Sequence, residues 1–383
     1  LFSRMEESIL AGELIPKHGP GSVADRHKAN AKWNLRTWTA RLQSALLHSE
    51  DYLYPSILYR GMDGDQGVDI VEPGAEMPVR VIAVPKTLKT PRVIAIEPAA
   101  MQYAQQAVLR CFLKAQKEDG FLSRVIGILD QEPNRQMAYE GSLTGDLATL
   151  DLSEASDRVS NQHVRALVRE HPILLKVLDA TRSRKADVPG HGVIRLAKYA
   201  SMGSALCFPV EAMTFLVIIF LGIERELGTP LSREEIVKHF ASRVRVFGDD
   251  IIVPRDHVLS VVDELHAFGH VVNVSKSYWT GRFRESCGKE YFDGHDVSIV
   301  RVRRTLPTRL QDADGVQSAV ALRNQAYKAG LWKTAAWLDR WMVQVLNGHW
   351  PNVAETSPLL GRVSYLGYSY QTLDPNHHSP LTK

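Results

Sequence analysis

Val-Arg-Val-Phe-Gly-Asp-Asp-Ile-Ile-Val, residues 244–253, decides how this chain is read. Two short β-prone runs flank Gly248-Asp249, and Gly-Asp between such runs signals a tight hairpin turn. The turn presents Asp249 and Asp250 together at its tip. Paired carboxylates on a tight turn suit divalent cations held against a triphosphate. The string alone is weak, since Gly-Asp-Asp arises by chance in roughly one chain in ten of this length. Its weight depends on what the rest of the sequence supplies.

Composition sets wide bounds. The chain has 383 residues, 44% of them hydrophobic, enough for a large core in one multi-lobed unit or two to three domains. A net charge of +3 permits a nucleic-acid partner without requiring one. The three cysteines, Cys111, Cys207 and Cys287, are scattered and form no Cys-x-x-Cys, so neither a zinc nor a disulfide framework is expected. The longest apolar run, residues 212–223, is short for a bilayer and reads as a buried helix. No membrane partner is expected. The first residue is Leu1, and the N-terminal part is expected to be incomplete.

Outward from the hairpin, the pattern is α+β. Residues 79–96 read as strands around a basic link, 97–118 as a helix, and 131–141 as a loop with a short helix. LATLDL (147–152) reads as a buried strand that runs into a helix opening at 153–156. Residues 159–182 read as helix broken at Pro172. Two short strands flank the turn at Pro189-Gly190. Long helices are expected at 208–227 and 257–268. From Leu306 the pattern is helical again, with apolar positions at Leu322, Tyr327, Leu331, Trp337 and Trp341.

In-line phosphoryl transfer is assisted by two divalent cations about 3.5–4 Å apart, and hard cations take carboxylate oxygens. Asp249 and Asp250 supply two carboxylates. Asp151, which interrupts a buried apolar strand, is the natural third; an aspartate there also suits a helix cap. Asp157 is placed to accept a hydrogen bond from a ribose hydroxyl, or else is an exposed helix acid. The small residues of Ser201-Met202-Gly203-Ser204-Ala205 permit close approach of a template backbone, or else form an ordinary helix-entry loop. Arg80, Lys86, Lys89 and Arg92 form a basic link able to meet a triphosphate. A second basic zone, from Lys276 to Arg304, includes Arg282, Arg284 and Lys289 as candidate RNA contacts. Each basic run has a plainer reading as solvated surface.

Taken together, and in this order, the segments resemble a right-hand RNA-dependent RNA polymerase. The similarity is to the replicase catalytic subunits of single-stranded RNA bacteriophages, the leviviruses. VPKTLKTPRVIAIEP (84–98) resembles their fingertip motif and LATLDLSEASDRVS (147–160) their first palm motif. SMGSALCFPVE (201–211) resembles the template loop, FGDDIIVP (247–254) the catalytic hairpin, and NVSKSYWTGRFRESCG (273–288) the two motifs that follow.

The resemblance implies fingers over 1–145 with the fingertip at 80–97, a palm of small antiparallel sheet plus helices over 146–305, and a helical thumb over 306–383. It implies template-directed RNA synthesis that replicates a positive-strand phage genome. Asp151, Asp249 and Asp250 would bind two Mg²⁺ ions, with Mn²⁺ as a substitute. Asp157 would sense the ribose, and Lys86, Lys89 and Arg92 would line the triphosphate path. Lys276 would steady or protonate the leaving pyrophosphate. Ser201, Gly203 and Ser204 would shape the nucleotide-positioning loop. Residues 283–288 would grip the end of the nascent strand.

The implied partners are RNA template and product, ribonucleoside triphosphates, and host elongation factors Tu and Ts with a small-subunit ribosomal protein. The implied location is the cytoplasm of the bacterial host. Two departures stand out: Phe247 where the family commonly has Tyr, and Ala205 where it commonly has Gly. A reverse transcriptase and a catalytically silent RNA-binding protein remain open as alternatives.

Overall fold

The computed structural model describes the chain except residues 28, 34, 47–51, 54–67, 86–89, 358, 368–371, 377–379 and 382–383. It divides into two compact units, Leu1–Ala83 with Val93–Ser298, and Val84–Arg92 with Ile299–Lys383.

The heart of the first unit is a four-stranded antiparallel sheet. Its order is Val271–Val272, Leu147–Ser153, Asp250–Pro254, Arg245–Phe247. The central strand LATLDLS is buried along nearly its whole length, which explains its near-continuous apolar run. Glu132–Thr144 packs on this strand and on the hairpin Phe283–Ser286/Lys289–Phe292. That helix has 13 residues, where the sequence pattern gave a loop with a short helix. Its Gly-Ser-Leu-Thr end hid the helical period. Gly145, with φ +85°, closes it in the left-handed conformation that caps helices.

On the strand Arg245–Phe247 lies Cys207–Leu227, which also packs on Val258–Ala267. At 21 residues it matches the long helix expected at 208–227, and by length and composition it is long enough to cross a membrane. In this fold 72% of its apolar window is buried inside the protein, so the reading as a core helix fits. Phe215, Ile218, Ile219 and Ile223 are at most 2% exposed. The two helices touch at Gly222, where an added Cβ would meet the backbone of Ser260 and Val261 at 2.9 Å.

A second four-stranded sheet has the order Pro91–Ile96, Val79–Pro85, Lys185–Val188, Gly192–Arg195. The turn at Gly190, with φ +78°, joins the last two strands as the sequence implied. Ala99–Lys117 lies behind Ile96 and is capped by the Asp25 carboxylate, which accepts from the Ala99 N–H at 2.6 Å.

The loop before Cys207–Leu227 is fastened from several sides. The Met202 carbonyl accepts from the Ala95 N–H at 2.8 Å. The Ala205 N–H donates to the Gln105 side chain at 3.2 Å. Gln105 in turn donates to the Glu97 carboxyl, which also accepts from Ser183 Oγ at 2.5 Å. Glu97 is 2% exposed, and burial pushes its carboxyl up to about 7.

The second unit has its own small core. Ala313–Lys328 and Trp332–Val345 form a helical hairpin around Val316, Val320, Met342 and Leu346. The first helix begins at Ala313, later than Leu306, with Asp312 accepting from the Gly315 N–H at 3.0 Å as its cap. Arg323 grips Asp339 through two bonds of 2.8 and 3.0 Å. Leu331 and Trp337 remain exposed.

Two outcomes follow from this packing. Gly222→Ala forces the two helices apart and is expected to cost roughly 1–3 kcal/mol. A urea midpoint equal to wild type would refute the close contact. For Glu97 the folded protein holds a proton that the unfolded chain releases near its ordinary value of 4.5. Stability therefore falls as pH rises from about 4.5 to about 7 and stays lowered above that. Glu97→Gln removes this dependence. It is expected to raise stability at pH 8, by at most roughly 3 kcal/mol, and to change little at pH 4.5. Equal shifts at both pH values would show that Glu97 is not the titrating group.

Candidate active site

Antiparallel pairing builds the site. Asp151 on the central strand lies directly opposite Asp250, and Phe247 pairs with Asp250 across the hairpin. Gly248 and Asp249 are therefore the two loop residues. Gly248 has φ +61°, as the first loop position of a type II′ turn requires. It is also pressed against the Phe208 ring, where a Cβ would lie 2.1 Å from a ring carbon. Residues facing each other in an antiparallel pair project from the same face, and like charges there are destabilising. The Asp151–Asp250 pair is thus a liability to the sheet.

Other neighbours set the electrostatics of Asp250. Burial, then the nearby carboxylates Asp249 and Glu285, push Asp250 up to about 7. The Cys287 N–H and thiol hydrogen-bond to the Asp250 carboxylate and oppose the rise in part. Cys287 takes φ +50° and Gly288 φ +74°, so the turn between Ser286 and Lys289 has the two left-handed residues of a type I′ turn. A left-handed cysteine costs about 1–3 kcal/mol. Here it aims a backbone donor at Asp250.

The other edge of the central strand carries the lysine. Asn273 N–H bonds to the Asp151 carbonyl at 2.8 Å, and Tyr278 exchanges two hydrogen bonds with Thr149. Between them Val274–Lys276 bulges out as a 3-10 turn. The bulge places Lys276 Nζ 3.8 Å from Asp151 Oδ2, which also accepts from Asn273 Nδ2 at 3.1 Å. Ser277 Oγ accepts from the Asp151 N–H at 3.0 Å.

Beyond Ser153, Glu154 with φ +53° turns the chain sharply into the short helix Ala155–Arg158. Asp157 sits there with its carboxylate half exposed, and Lys198 Nζ donates to it at 2.5 Å. In the loop 201–205, Ser201 is buried, Ser204 half-buried and Gly203 exposed. Gly203 has φ +127°, and a Cβ there would lie 2.0 Å from the Ala95 carbonyl oxygen. Its glycine is structural. Ala205 has no positive φ, so it needs none of a glycine's freedom.

One acid was missed in the sequence. Glu211 is 6% exposed on the first turns of Cys207–Leu227, and burial with the Asp249 and Asp157 charges raises it to about 8. An acid immediately before the longest apolar run, residues 212–223, was the available signal. Among the described residues no three His, Cys, Asp or Glu side chains gather as a ready-made metal cluster. Three hard carboxylates, with Asp250 crowded by two of its neighbours, are still the donor chemistry a divalent cation takes.

The predicted RNA contacts fare differently. Arg284 is fully buried, and its guanidinium donates to the carbonyls of Leu147 at 2.5 Å and Phe283 at 2.6 Å. It props the start of the central strand, which corrects its reading as an RNA contact. Arg282 donates to the Leu143 carbonyl, and Lys289 pairs with Asp296 at 2.6 Å. Arg92 is exposed and belongs to the second unit. Lys86 and Lys89 lie outside the described residues.

The fold aligns with the RNA-dependent RNA polymerase of a human picobirnavirus over 71% of this chain and 57% of that one, at TM-score 0.49 and 13% identity. In sequence the chain is 36% identical over 227 residues to the RNA-directed RNA polymerase subunit beta of Qbeta virus (strain MX1), covering 59% of this chain and 36% of that protein. It is 33% identical over 226 residues to the RNA-directed RNA polymerase beta chain of Escherichia phage MS2, covering 58% and 37%. The chain thus spans little more than a third of the length of these curated relatives. The family described as RNA replicase, beta-chain, matches residues 71–313, a stretch that holds Asp151, Asp157, Glu211, Asp249 and Asp250 and well over half of the sequence, and the chain belongs to that family.

Proposed function

We propose that this chain carries the catalytic centre of an RNA-directed RNA polymerase of the phage replicase type. The observation that carries the proposal is the register that sets Asp151 opposite Asp250, with Asp249 at the adjoining turn. In the reaction the 3′-hydroxyl oxygen of the growing RNA bonds to the α-phosphorus of a ribonucleoside triphosphate. The bond to the bridging oxygen breaks, and pyrophosphate leaves.

Asp151, Asp249 and Asp250 would hold two Mg²⁺ ions, with Mn²⁺ as a substitute; when bound, such ions lower the pKa of the attacking hydroxyl and neutralise the leaving group. The chain's own residues position and compensate. Cys287 and Asn273 fix the orientation of the Asp250 and Asp151 carboxylates. Lys276, over Asp151, supplies a cation and a proton donor toward the pyrophosphate. Asp157 accepts the ribose hydroxyl, and the loop at Ser201, Gly203 and Ser204 seats the nucleotide. Lys86, Lys89 and Arg92 meet the triphosphate. Catalysis of this kind is mostly positioning and charge stabilisation.

On the same reading residues 1–145 supply the fingers, 146–305 the palm and 306–383 a helical thumb. RNA template and product are its partners, with host elongation factors Tu and Ts and a small-subunit ribosomal protein as accessories. Its place of action is the bacterial cytoplasm, and its template a positive-strand phage genome.

Asp249→Asn is expected to reduce nucleotide incorporation on a primed RNA template to background while RNA retention on a filter stays near wild type. Wild-type incorporation by that variant would refute the assignment.

A further inference from the structure

The Lys198–Asp157 contact differs from an ordinary surface ion pair. Such pairs contribute little when two flexible side chains must be ordered to form them. Here the lysine's backbone is fixed beforehand. Lys198 pairs with Ser160 in an isolated antiparallel bridge. On either side of it, Asn161 N–H donates to the Ala197 carbonyl at 3.0 Å and Tyr199 N–H to the Val159 carbonyl at 2.8 Å. From behind, the buried Arg182 guanidinium gathers the carbonyls of Leu196 at 2.6 Å, Lys198 at 2.8 Å and Tyr199 at 2.8 Å. The Lys198 side chain is only 20% exposed, and its Nζ stands 2.5 Å from Asp157 Oδ1.

The surroundings explain why a cation is needed there. Asp157 shares its neighbourhood with Asp249 and the buried Glu211. Without a compensating charge, a carboxylate at Asp157 would repel an incoming triphosphate. It would also be free to swing away from the sugar.

We propose that Lys198 is a positioning residue for ribose selection. Its ammonium holds Oδ1 of Asp157, which leaves the second carboxylate oxygen as a fixed acceptor for the 2′-hydroxyl of the incoming nucleotide. The inference rests on the reading of Asp157 as the ribose-sensing residue. A deoxyribonucleotide offers no donor to that oxygen, and a site built around a hydrogen bond rejects the analogue that lacks it. Lys198 also ties this selection to the loop that begins at Ser201, since both hang from the segment that Arg182 anchors.

The test is single-nucleotide incorporation by the purified protein on one primed RNA template, with a ribonucleoside and the matching 2′-deoxyribonucleoside triphosphate. Asp157→Asn, Lys198→Met and Lys198→Arg are compared with wild type, and thermal midpoints are recorded for each. Lys198→Met is expected to raise KM for the ribonucleotide roughly tenfold to a hundredfold, the worth of one charge-assisted hydrogen bond, with kcat nearly kept. The ribo-to-deoxy preference should fall by a similar factor, and Lys198→Arg should restore most of it. Should Lys198→Met not fold, Lys198→Gln carries the same expectation.

If Asp157→Asn leaves the preference unchanged, the ribose reading of Asp157 fails and the inference with it. If Asp157→Asn removes the preference while a folded Lys198→Met keeps it, Lys198 has no positioning role and the reading of Asp157 stands. Equal losses for both nucleotides with a lowered thermal midpoint would mark Lys198 as merely structural and overturn the proposal.

Discussion

The register between Leu147–Ser153 and Asp250–Pro254 is the constraint on which the site depends. Side chains on a strand alternate faces, so a slip of one residue would turn Asp151 into the core and bring a leucine to the surface. The buried pattern of the central strand forbids that slip. Ala148, Leu150 and Leu152 are at most 4% exposed, and the partners facing the first two, Val253 and Ile251, are at most 1% exposed. Hydrophobic packing therefore fixes where the carboxylates stand, although the carboxylates themselves repel one another. A sheet selected for stability alone would not place two aspartates face to face.

Much of this was legible in sequence. The Gly-Asp turn between apolar runs, the LATLDL strand and the long apolar helix each obey a local rule of period or turn chemistry. What was not legible depends on contacts distant in sequence. Glu132–Thr144 lacks a clear apolar period because Gly141 must sit close to Leu147, where even a Cβ would crowd at 3.0 Å. Arg284 looked like one more surface cation, yet it is buried under carbonyls of the strand start. Lys198 carries no signal of its own; its role appears only once the 159–161 and 197–199 segments pair. A charge in a sequence is visible, while its partner is a property of the fold.

The loop 201–205 separates two uses of small residues. Gly203 is held at a positive φ against the Ala95 carbonyl, and no other residue fits there without moving that strand. Ala205 occupies ordinary backbone space with its N–H bonded to Gln105. A glycine at 205 would loosen the unfolded chain more than it would relieve the folded one. The alanine therefore confines the loop at its helix end and leaves the close approach at Gly203 intact.

Two left-handed residues frame the carboxylates from opposite sides. Glu154 turns the chain out of the central strand toward Asp157, and Cys287 turns the 283–292 hairpin so that its N–H meets Asp250. Neither position has a glycine, the residue that adopts this conformation at least cost. At Cys287 the thiol contributes as well as the backbone, so glycine would keep the turn and lose one of the two bonds to Asp250. Strain of this kind persists only where the surrounding packing over-determines it. Here Arg135 closes on the Cys287 carbonyl through two bonds of 3.3 Å, and Ser286 beside it is 1% exposed. The cost of the turn is carried by the hairpin and the helix behind it, and its result is a carboxylate whose direction is set by the backbone.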